Sequence, residues 1–275
     1  MIKKPEKGQP TFDHNLESTV EPRCGMCFKP ACCFVQETRM APSLDLALPT
    51  LERGVKETVN QWVYRSLRHA VMIGRIPPGR PLTIRELAEA LQVSTMPVRE
   101  ALRRLSTEQA LEVRDNRRVL VPNMTAAKFR ELCELRIALE THAAERALPW
   151  LNETKIKQLE DLDAGIDRAN ESGDQEQVTI LNQDFHRALY LANPHQTAMP
   201  LIESVWLQLG PFVRLALSRL RDHYQVDRHG EALTAIRRQD HLALRVAIEA
   251  DIRDGITHVG TTELLNAYIN SGGNN

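Results

Sequence analysis

The chain has 275 residues, which exceeds the usual size of one domain and predicts about two domains of roughly 100 to 200 residues each. Hydrophobic residues make up 42% of it and charged residues 26%, so the composition is that of a folded globular protein and excludes a fibrous or wholly disordered chain. No stretch approaches the roughly 18 apolar residues that a membrane-spanning helix needs, and no apolar signal peptide is recognisable. We therefore expect a cytoplasmic protein without a membrane partner.

Charge is distributed unevenly along the chain, although the formal net charge is only −1. Residues 1–50 carry no net charge, residues 51–122 carry +5 and residues 123–275 carry −6. An excess of positive charge confined to the middle segment favours binding of a polyanion there, because the acidic remainder is repelled by the same partner. Nucleic acid is therefore the first candidate partner of residues 51–122.

Residues 1–45 show no sustained helical or strand periodicity and are predicted to be a disordered extension, or an untranslated one if Met40 is the true start. The extension contains a cluster of cysteines, Cys24, Cys27, Cys32 and Cys33. In zinc ribbons two such pairs usually stand a dozen or more residues apart, so that the chain can fold back around the ion. The spacing favours an extension without metal, and a small zinc site is the alternative.

The middle segment is predicted to begin with an amphipathic helix from about Glu52, whose apolar stripe starts at Val55. Gly74 and the prolines after it end this helix. Thr83 and Glu86 have the spacing of a capping box and predict a second, short helix.

A third helix follows a short turn and is predicted to have two different faces, with Ser94 or Thr95 as its N-cap. Its buried stripe consists of Val98, Ala101, Leu102 and Leu105. Its opposite face presents Thr95, Arg99 and Arg103, with Arg104 beside them. Two helices joined by a short turn, the second with a cationic outer face, are typical of a helix-turn-helix that lays its second helix in the major groove of DNA. A surface helix whose arginines contact only water is the alternative.

Two short strand-like runs follow this helix, at residues 111–114 and 118–121, and predict a β-hairpin. A basic hairpin behind a helix-turn-helix is a wing, which can reach the flanking DNA backbone or the minor groove. The residues predicted to contact DNA are Arg85, Thr95, Arg99, Arg103, Arg104, Arg117 and Arg118.

The run from Gly74 to Val121 resembles the winged helix-turn-helix of GntR-family transcription regulators. Members commonly read Ser-Arg-Thr-Pro-Val-Arg at the recognition helix, and the corresponding residues here are Ser94, Thr95, Met96, Pro97, Val98 and Arg99. The first arginine of the motif is replaced by Thr95, and the glycine of the wing by Arg118. The resemblance implies DNA contacts by Arg99 and Arg103. Since one recognition helix makes few base contacts, we expect a homodimer that binds a short inverted repeat.

After Thr125 the pattern is helical almost to the end of the chain, and no alternating run supports a sheet. The first apolar stripe consists of Leu132, Leu135, Leu139, Ala143 and Ala147. Similar stripes predict six or seven helices, one of them kinked at Pro211. The predicted fold is therefore mainly α, with a winged helix-turn-helix at residues 51–122 and an antiparallel all-helical bundle for effector binding and dimerisation at residues 125–270.

Two segments of the bundle resemble FCD, the all-helical effector domain of the FadR-like branch of this family. They are the segment around Glu134, Arg136 and Glu140 and the run Asp184-Phe185-His186-Arg187-Ala188-Leu189. Many members hold a divalent metal in this domain, and the ligand positions that the resemblance implies are Asn182, His186, His229 and Asp251. Zinc, nickel, iron or manganese suits such mixed nitrogen and oxygen ligands. The alternative is a set of satisfied core residues without a metal.

These features predict a sequence-specific transcriptional regulator that is not an enzyme, a repressor that binds the bacterial nucleoid. A small organic acid bound in the bundle is expected to control its operator affinity, with Arg136 and Arg214 as candidate partners of the acid. The alternatives are a metal-dependent hydrolase, an architectural DNA-binding protein, and a regulator that binds its effector without a metal. A hydrolase leaves the basic segment unexplained, and the sequence has no HExxH motif, phosphate-binding loop or nucleophile motif.

Overall fold

The computed structural model describes residue 48 and residues 51–114, 118–217 and 227–257, with only the backbone described at residues 213–217 and 256–257. The predicted extension at residues 1–45, with its four cysteines, lies outside the described residues. Arg117 of the predicted hairpin also lies outside them, and so does the side chain of Arg214.

The first half of the described chain is a three-helix unit with a small sheet. Its elements are α1 (Val59–Met72), β1 (Leu82–Thr83), α2 (Ile84–Ala90), α3 (Thr95–Thr107), β2 (Glu112–Val113) and β3 (Arg118–Leu120). The sheet has the order β1-β3-β2 and both pairings are antiparallel. This is the predicted winged helix-turn-helix, in which α2 and α3 are the two helices of the motif and β2 and β3 form the wing.

Helix α1 begins later than predicted. Thr58 is its N-cap and forms a capping box with Gln61, so the helix starts at Val59 rather than near Glu52. Val55 continues the helical spacing of the sequence but lies outside the helix, fully exposed. The prediction of a helix from about Glu52 was wrong because a capping box fixes a helix start more strongly than apolar spacing does.

Helices α2 and α3 follow the sequence closely. The backbone N–H of Glu86 donates to Thr83 Oγ1 over 3.1 Å, and the N–H of Thr83 donates to Glu86 Oε2 over 2.6 Å, which confirms the predicted capping box. Ser94 occupies the N-cap position of α3 without a side-chain cap hydrogen bond. The predicted stripe of α3 is buried, at Val98, Ala101, Leu102 and Leu105.

The hairpin strands were predicted, whereas β1 was not, since it is only two residues long. Strand β3 lies between the other two: Val119 pairs with Leu82 on one side and with Val113 on the other. Arg118, which replaces the wing glycine of the family, pairs with Thr83 and is exposed.

The second half of the described chain is helical. Its elements are α4 (Ala126–Ala147), a 3-10 turn (Leu148–Trp150), α5 (Glu153–Ser172), α6 (Gln175–Tyr190), α7 (Met199–Leu217), α8 (Arg228–Arg237) and α9 (His241–Thr257). Helix α4 packs against α6, α7 and α9. Helix α5 packs against α6 and α8, α8 also packs against α9, and α7 contacts α6 and α9. Leu135 was wrongly predicted to belong to the buried stripe of α4, since its neighbours Leu132 and Cys133 face the core while Leu135 is 47% exposed.

None of the described helices is both long enough and apolar enough to cross a membrane.

The two halves meet where α1 packs against α7. Gly210 lies inside α7 directly before Pro211, and a Cβ atom at this position would overlap the backbone carbonyl of Met72 at the end of α1. The backbone of α7 can approach the end of α1 this closely only because Gly210 has no side chain.

This contact predicts opposite effects for the same substitution at two helical glycines. Gly210→Ala should destabilise the protein by about 1 to 3 kcal/mol, because the methyl group must displace a backbone carbonyl. Gly255→Ala in α9 is the control: its Cβ would meet nothing within 4 Å, and alanine favours the helix by about 0.5 to 1 kcal/mol. Thermal melting measures both. Equal melting temperatures for the two variants would contradict the proposed close contact.

Candidate functional site

The four residues implied as metal ligands come together inside the bundle. Asn182 and His186 lie one turn apart on α6, His229 lies in the first turn of α8, and Asp251 lies on α9. One ligand atom from each of His186, His229 and Asp251 lies within 4.8 Å of the others, and all three residues are buried. Asn182 Nδ2 lies 3.3 Å from His229 Nε2, so the amide borders the same space.

His186 has a ring orientation fixed by Tyr190. The Tyr190 hydroxyl lies 3.0 Å from His186 Nδ1 and donates its single proton to Glu140 Oε2 over 2.8 Å. The hydroxyl oxygen must therefore accept a hydrogen bond from Nδ1–H, which places the lone pair of a neutral imidazole on Nε2. Burial and the Glu140 carboxylate raise the pKa of Tyr190 well above its ordinary value, so the hydroxyl keeps its proton.

His229 is oriented in the same way from the other side. Its Nδ1 lies 3.0 Å from Asp163 Oδ1 of α5, so Nδ1–H donates to this carboxylate and Nε2 carries the lone pair. The ring of Phe185 stacks on the imidazole at 4.1 Å between centroids. Asp227 caps α8 by accepting from the N–H of Gly230 over 2.7 Å, which fixes the helical turn that contains His229.

The second ring nitrogens of the two histidines, the Nε2 atoms, both lie close to the carboxylate of Asp251. His186 Nε2 lies 3.0 Å from Asp251 Oδ2, and His229 Nε2 lies 3.8 Å from Asp251 Oδ1. The Nε2 of His186 is fully buried and makes no hydrogen bond to any described residue despite this short distance. Two imidazole lone pairs and a carboxylate aimed at one another are the donor set of a divalent transition metal, so these residues fit such an ion.

The electrostatic surroundings also favour a cation. Burial lowers the pKa of His229, but the hydrogen bond to Asp163 and the negative charge of Asp251 outweigh it, and the net shift is upward. Burial, followed by the charges of Asp163 and Asp227, raises the pKa of Asp167. Positive charge is thus favoured at this end of the bundle, and additional negative charge is disfavoured.

Glu140 lies behind the site and has no exposed surface. Its Oε1 accepts from Arg136 Nε over 2.5 Å and from Trp206 Nε1 over 2.7 Å, while its Oε2 accepts from Tyr190. Arg136, a predicted effector contact, is therefore turned inward, with 13% of its side chain exposed. No described residue accepts a hydrogen bond from its two Nη groups, so they remain able to bind an anion.

The predicted DNA contacts lie on the exposed side of α2, α3 and β3, apart from Arg117, which is not described. Thr95 and Arg99 are exposed, and Arg99 has no ion pair with a described residue. Arg103 pairs with Glu100 over 2.7 Å and Arg85 pairs with Glu89 over 3.2 Å. These pairs are exposed and therefore weak, so a DNA phosphate can compete for either arginine.

Arg104 makes a different contact from the other predicted DNA-binding residues. Its guanidinium lies 3.7 Å from the ring centroid of Tyr64 on α1. It also lines a groove of about 960 Å³ between α1, α3 and α7. This position favours a role in holding α3 against α1, and a DNA contact by Arg104 stays a prediction.

The sequence did not predict the roles of Tyr190, Glu140, Trp206 and Asp163. Tyr190 stands four residues after His186 and Glu140 stands four residues after Arg136, which is the spacing of neighbours on one helix face. This spacing could have indicated the contacts between His186 and Tyr190 and between Arg136 and Glu140. Asp163 and Trp206 carry no such signal, because their partners lie 66 residues away in the chain.

Comparison with known families gives two matches. Residues 60–121 match the family described as bacterial regulatory proteins, gntR family, and residues 131–254 match the FCD domain. The two matched ranges correspond to the winged helix-turn-helix and to the helical bundle described above.

Individual proteins with known names are similar over much of the chain. The HTH-type transcriptional regulator McbR of Escherichia coli is 32% identical over 187 residues, which are 65% of this chain and 82% of that protein. The gluconate operon transcriptional repressor of Bacillus subtilis is 25% identical over 225 residues, covering 78% and 90% of the two chains. A solved structure of E. coli McbR/YncC matches with a TM-score of 0.68 and 28% identity, covering 74% of this chain and 97% of that one.

The buried hydroxyl of Tyr190 predicts a stability effect. Tyr190→Phe should lower the free energy of unfolding by about 1 to 3 kcal/mol, because it leaves His186 Nδ1 and one oxygen of Glu140 without their buried partner. Tyr64→Phe is the matched control, since the hydroxyl of Tyr64 is only half-buried and its partner Glu108 also pairs with Arg68. Urea denaturation measures both. A Tyr190→Phe loss no larger than that of Tyr64→Phe would contradict the described network.

Proposed function

The chain belongs to the GntR family of bacterial regulatory proteins and is a DNA-binding transcriptional regulator with an FCD domain, and we propose that it is a repressor controlled by a divalent metal and a small organic acid. The observation that carries this proposal is the convergence of two imidazole lone pairs on Asp251 inside the bundle. A repressor is favoured because one of the similar proteins is a named operon repressor.

The proposed DNA-binding unit is residues 51–122, with α3 as the recognition helix in the major groove. Thr95, Arg99 and Arg103 lie on its exposed side, Arg85 precedes it on α2, and Arg118 lies on the wing. We propose that two copies of the chain bind an inverted repeat, so that two recognition helices double the base contacts of one. Binding to operator DNA places the protein on the nucleoid in the bacterial cytoplasm.

The proposed effector unit is residues 125–270, with Asn182, His186, His229 and Asp251 as the residues that hold the metal. When bound, a divalent cation supplies a Lewis-acidic centre to which a carboxylate ligand can add. The protein orients the ligands: Tyr190 holds the imidazole of His186 and Asp163 that of His229, each with Nε2 directed at Asp251. These outer partners also keep each ring in one tautomer.

The proposed acid-binding residue is Arg136, held in place by Glu140. Its Nε is committed to Glu140, and a guanidinium whose Nη groups are available can bind a carboxylate through two parallel hydrogen bonds. Arg214 remains a candidate on α7. A regulator that binds its acid through arginines without a metal is the second candidate function, favoured by the inward position of Arg136. The hydrolase alternative gains no support from the similar proteins, which are named regulators and repressors.

The first test concerns DNA recognition, with an operator obtained by in vitro selection from random duplexes with the parent protein. Arg99→Ala should weaken operator binding by about 1 to 3 kcal/mol at matched salt, because an arginine that binds a base edge contributes about that much. Arg146→Ala is the control, since Arg146 is equally charged and exposed but lies on α4. Fluorescence anisotropy measures both affinities. Equal binding by Arg99→Ala and Arg146→Ala would show that α3 does not bind DNA in the proposed way.

The second test concerns the metal and the acid. The parent protein should bind a divalent ion, and His186→Ala should weaken this binding by at least the roughly 10- to 100-fold that loss of an outer partner usually costs. His142→Ala is the control because His142 is an exposed histidine of α4. Metal analysis and calorimetric titration with zinc, nickel and manganese salts measure the ion.

A panel of small organic acids is then titrated into the metal-loaded parent and into both variants. The proposal predicts that acid binding is weakened in His186→Ala and retained in His142→Ala. A parent that binds no metal, or unchanged acid binding in His186→Ala, would remove the metal from the proposal and favour the arginine-only regulator.

A further inference from the structure

A row of ion pairs with alternating charges connects α6 with the end of the proposed recognition helix, α3. On α6, Arg187 follows His186 directly, and its Nε and Nη2 donate to Glu203 Oε1 of α7 over 3.2 and 3.1 Å. The other oxygen of Glu203 accepts from Nη2 of Arg68 on α1 over 3.1 Å. Glu203 therefore joins the helix that carries two candidate metal ligands to the first helix of the DNA-binding unit.

The row of ion pairs continues from α1 to α3. The Nε of Arg68 donates to Glu108 Oε2 over 3.4 Å, and the hydroxyl of Tyr64 donates to the other oxygen of Glu108. Glu108 is the C-cap residue of α3, and its own N–H donates to the carbonyl of Arg104. A shift of α1 relative to α7 is therefore transmitted to the last turn of the recognition helix.

The four charged groups are sheltered enough to interact strongly. Arg68, Glu203 and Glu108 are 20%, 25% and 27% exposed, and Arg187 is 31% exposed. Ion pairs at this degree of burial are screened less by salt than exposed pairs are. Arg187 also forms an ion pair with Asp184 of its own helix over 3.2 Å, so its guanidinium is held by two carboxylates.

A second contact supports the same connection at the end of α1. Gln183 of α6 donates from Nε2 to the carbonyl of Met72 over 3.2 Å, and Arg75 forms an ion pair with Glu176. The carbonyl of Met72 is also the atom that lies against Gly210 of α7. Helix α6 thus contacts the DNA-binding unit with one side and bears Asn182 and His186 on another.

We propose that Arg68 and Glu203 are positioning residues that couple α6, with its candidate metal ligands, to the orientation of the recognition helix. The inference rests on the proposed function, because it takes α3 as the recognition helix and α6 as part of the effector site. Neither residue needs to touch DNA for this role. Glu203, as an acid on α7, is in any case repelled by phosphate.

The test uses the full chain and selected operator DNA as the only ligand, so it needs neither metal nor acid. Coupling between two sites is reciprocal, and DNA bound at α3 should therefore alter hydrogen exchange of the amides of α6 in the parent protein. In Glu203→Gln and Arg68→Met the response of α6 should be clearly smaller than in the parent, because only the contacts of Gln183 and Arg75 remain, while the response of α3 is kept. Glu134→Gln is the control, because its ion pair with Arg253 joins α4 to α9 within the bundle, and it should respond like the parent.

The second readout is operator affinity at several salt concentrations. Both variants should bind operator about 2- to 30-fold more weakly than the parent, the range found for residues that modulate coupling without touching a ligand. The slope of affinity against salt should stay unchanged, because no phosphate contact is lost. A reduced slope in Arg68→Met would show that Arg68 binds phosphate directly, and would overturn the positioning role.

Two further outcomes would also overturn the inference. One is a parent protein whose α6 amides do not respond to DNA, and the other is an α6 response as large in both variants as in the parent. Either result leaves the metal and acid titrations of the proposed function intact. A parent that selects no operator sequence would instead refute the proposed recognition helix itself.

Discussion

The geometry of the bundle depends on one buried charge, the carboxylate of Glu140. A carboxylate removed from water costs several kcal/mol unless donors surround it, and here donors arrive from α4, α6 and α7. Because each donor must reach hydrogen-bond distance, the network tolerates few other placements of these three helices. The same network determines the chemistry of the site. The Tyr190 hydroxyl donates its one hydrogen bond to Glu140, so its oxygen must accept from His186 Nδ1–H, and the lone pair on His186 Nε2 then faces Asp251.

Local signals in the sequence predicted most of the fold, and one weak local signal and several long-range pairs account for what was missed. A capping box needs only Thr83 and Glu86, so its position could be predicted from four consecutive residues. Apolar spacing is a weaker signal. It placed Val55 on α1, but the helix begins only at Val59, after its N-cap Thr58. The candidate metal ligands came from the family resemblance, and the structure brings them together. The pairing of Glu140 with Tyr190 spans 50 residues, and no local pattern predicts a contact of that range.

The formal charge of the DNA-binding unit, +5, is the balance of 13 basic and 8 acidic side chains. Four of its arginines have a glutamate of the same unit within 3.2 Å, and they are Arg65, Arg85, Arg103 and Arg114. A phosphate that binds such an arginine must compete with a carboxylate that stays nearby, so each contributes less attraction than an unpaired cation. Arg99 has no ion pair with a described residue, and its neighbour Thr95 stands where the family commonly has a further arginine.

Because four of these arginines are paired with glutamates, the orientation of the proposed recognition helix becomes decisive. A unit with many unpaired cations can bind DNA in several orientations through phosphates alone, whereas a hydrogen bond to a base edge requires one geometry. In this chain the exposed face of α3 depends mainly on Arg99, and the C-terminal end of the same helix is held by Glu108 and Arg68. In the coupling proposed above, a small rotation of α1 against α7 moves Arg99 relative to the major groove and leaves every proposed DNA contact residue in place. Such control by orientation would leave the proposed DNA-binding groups intact and change only their alignment.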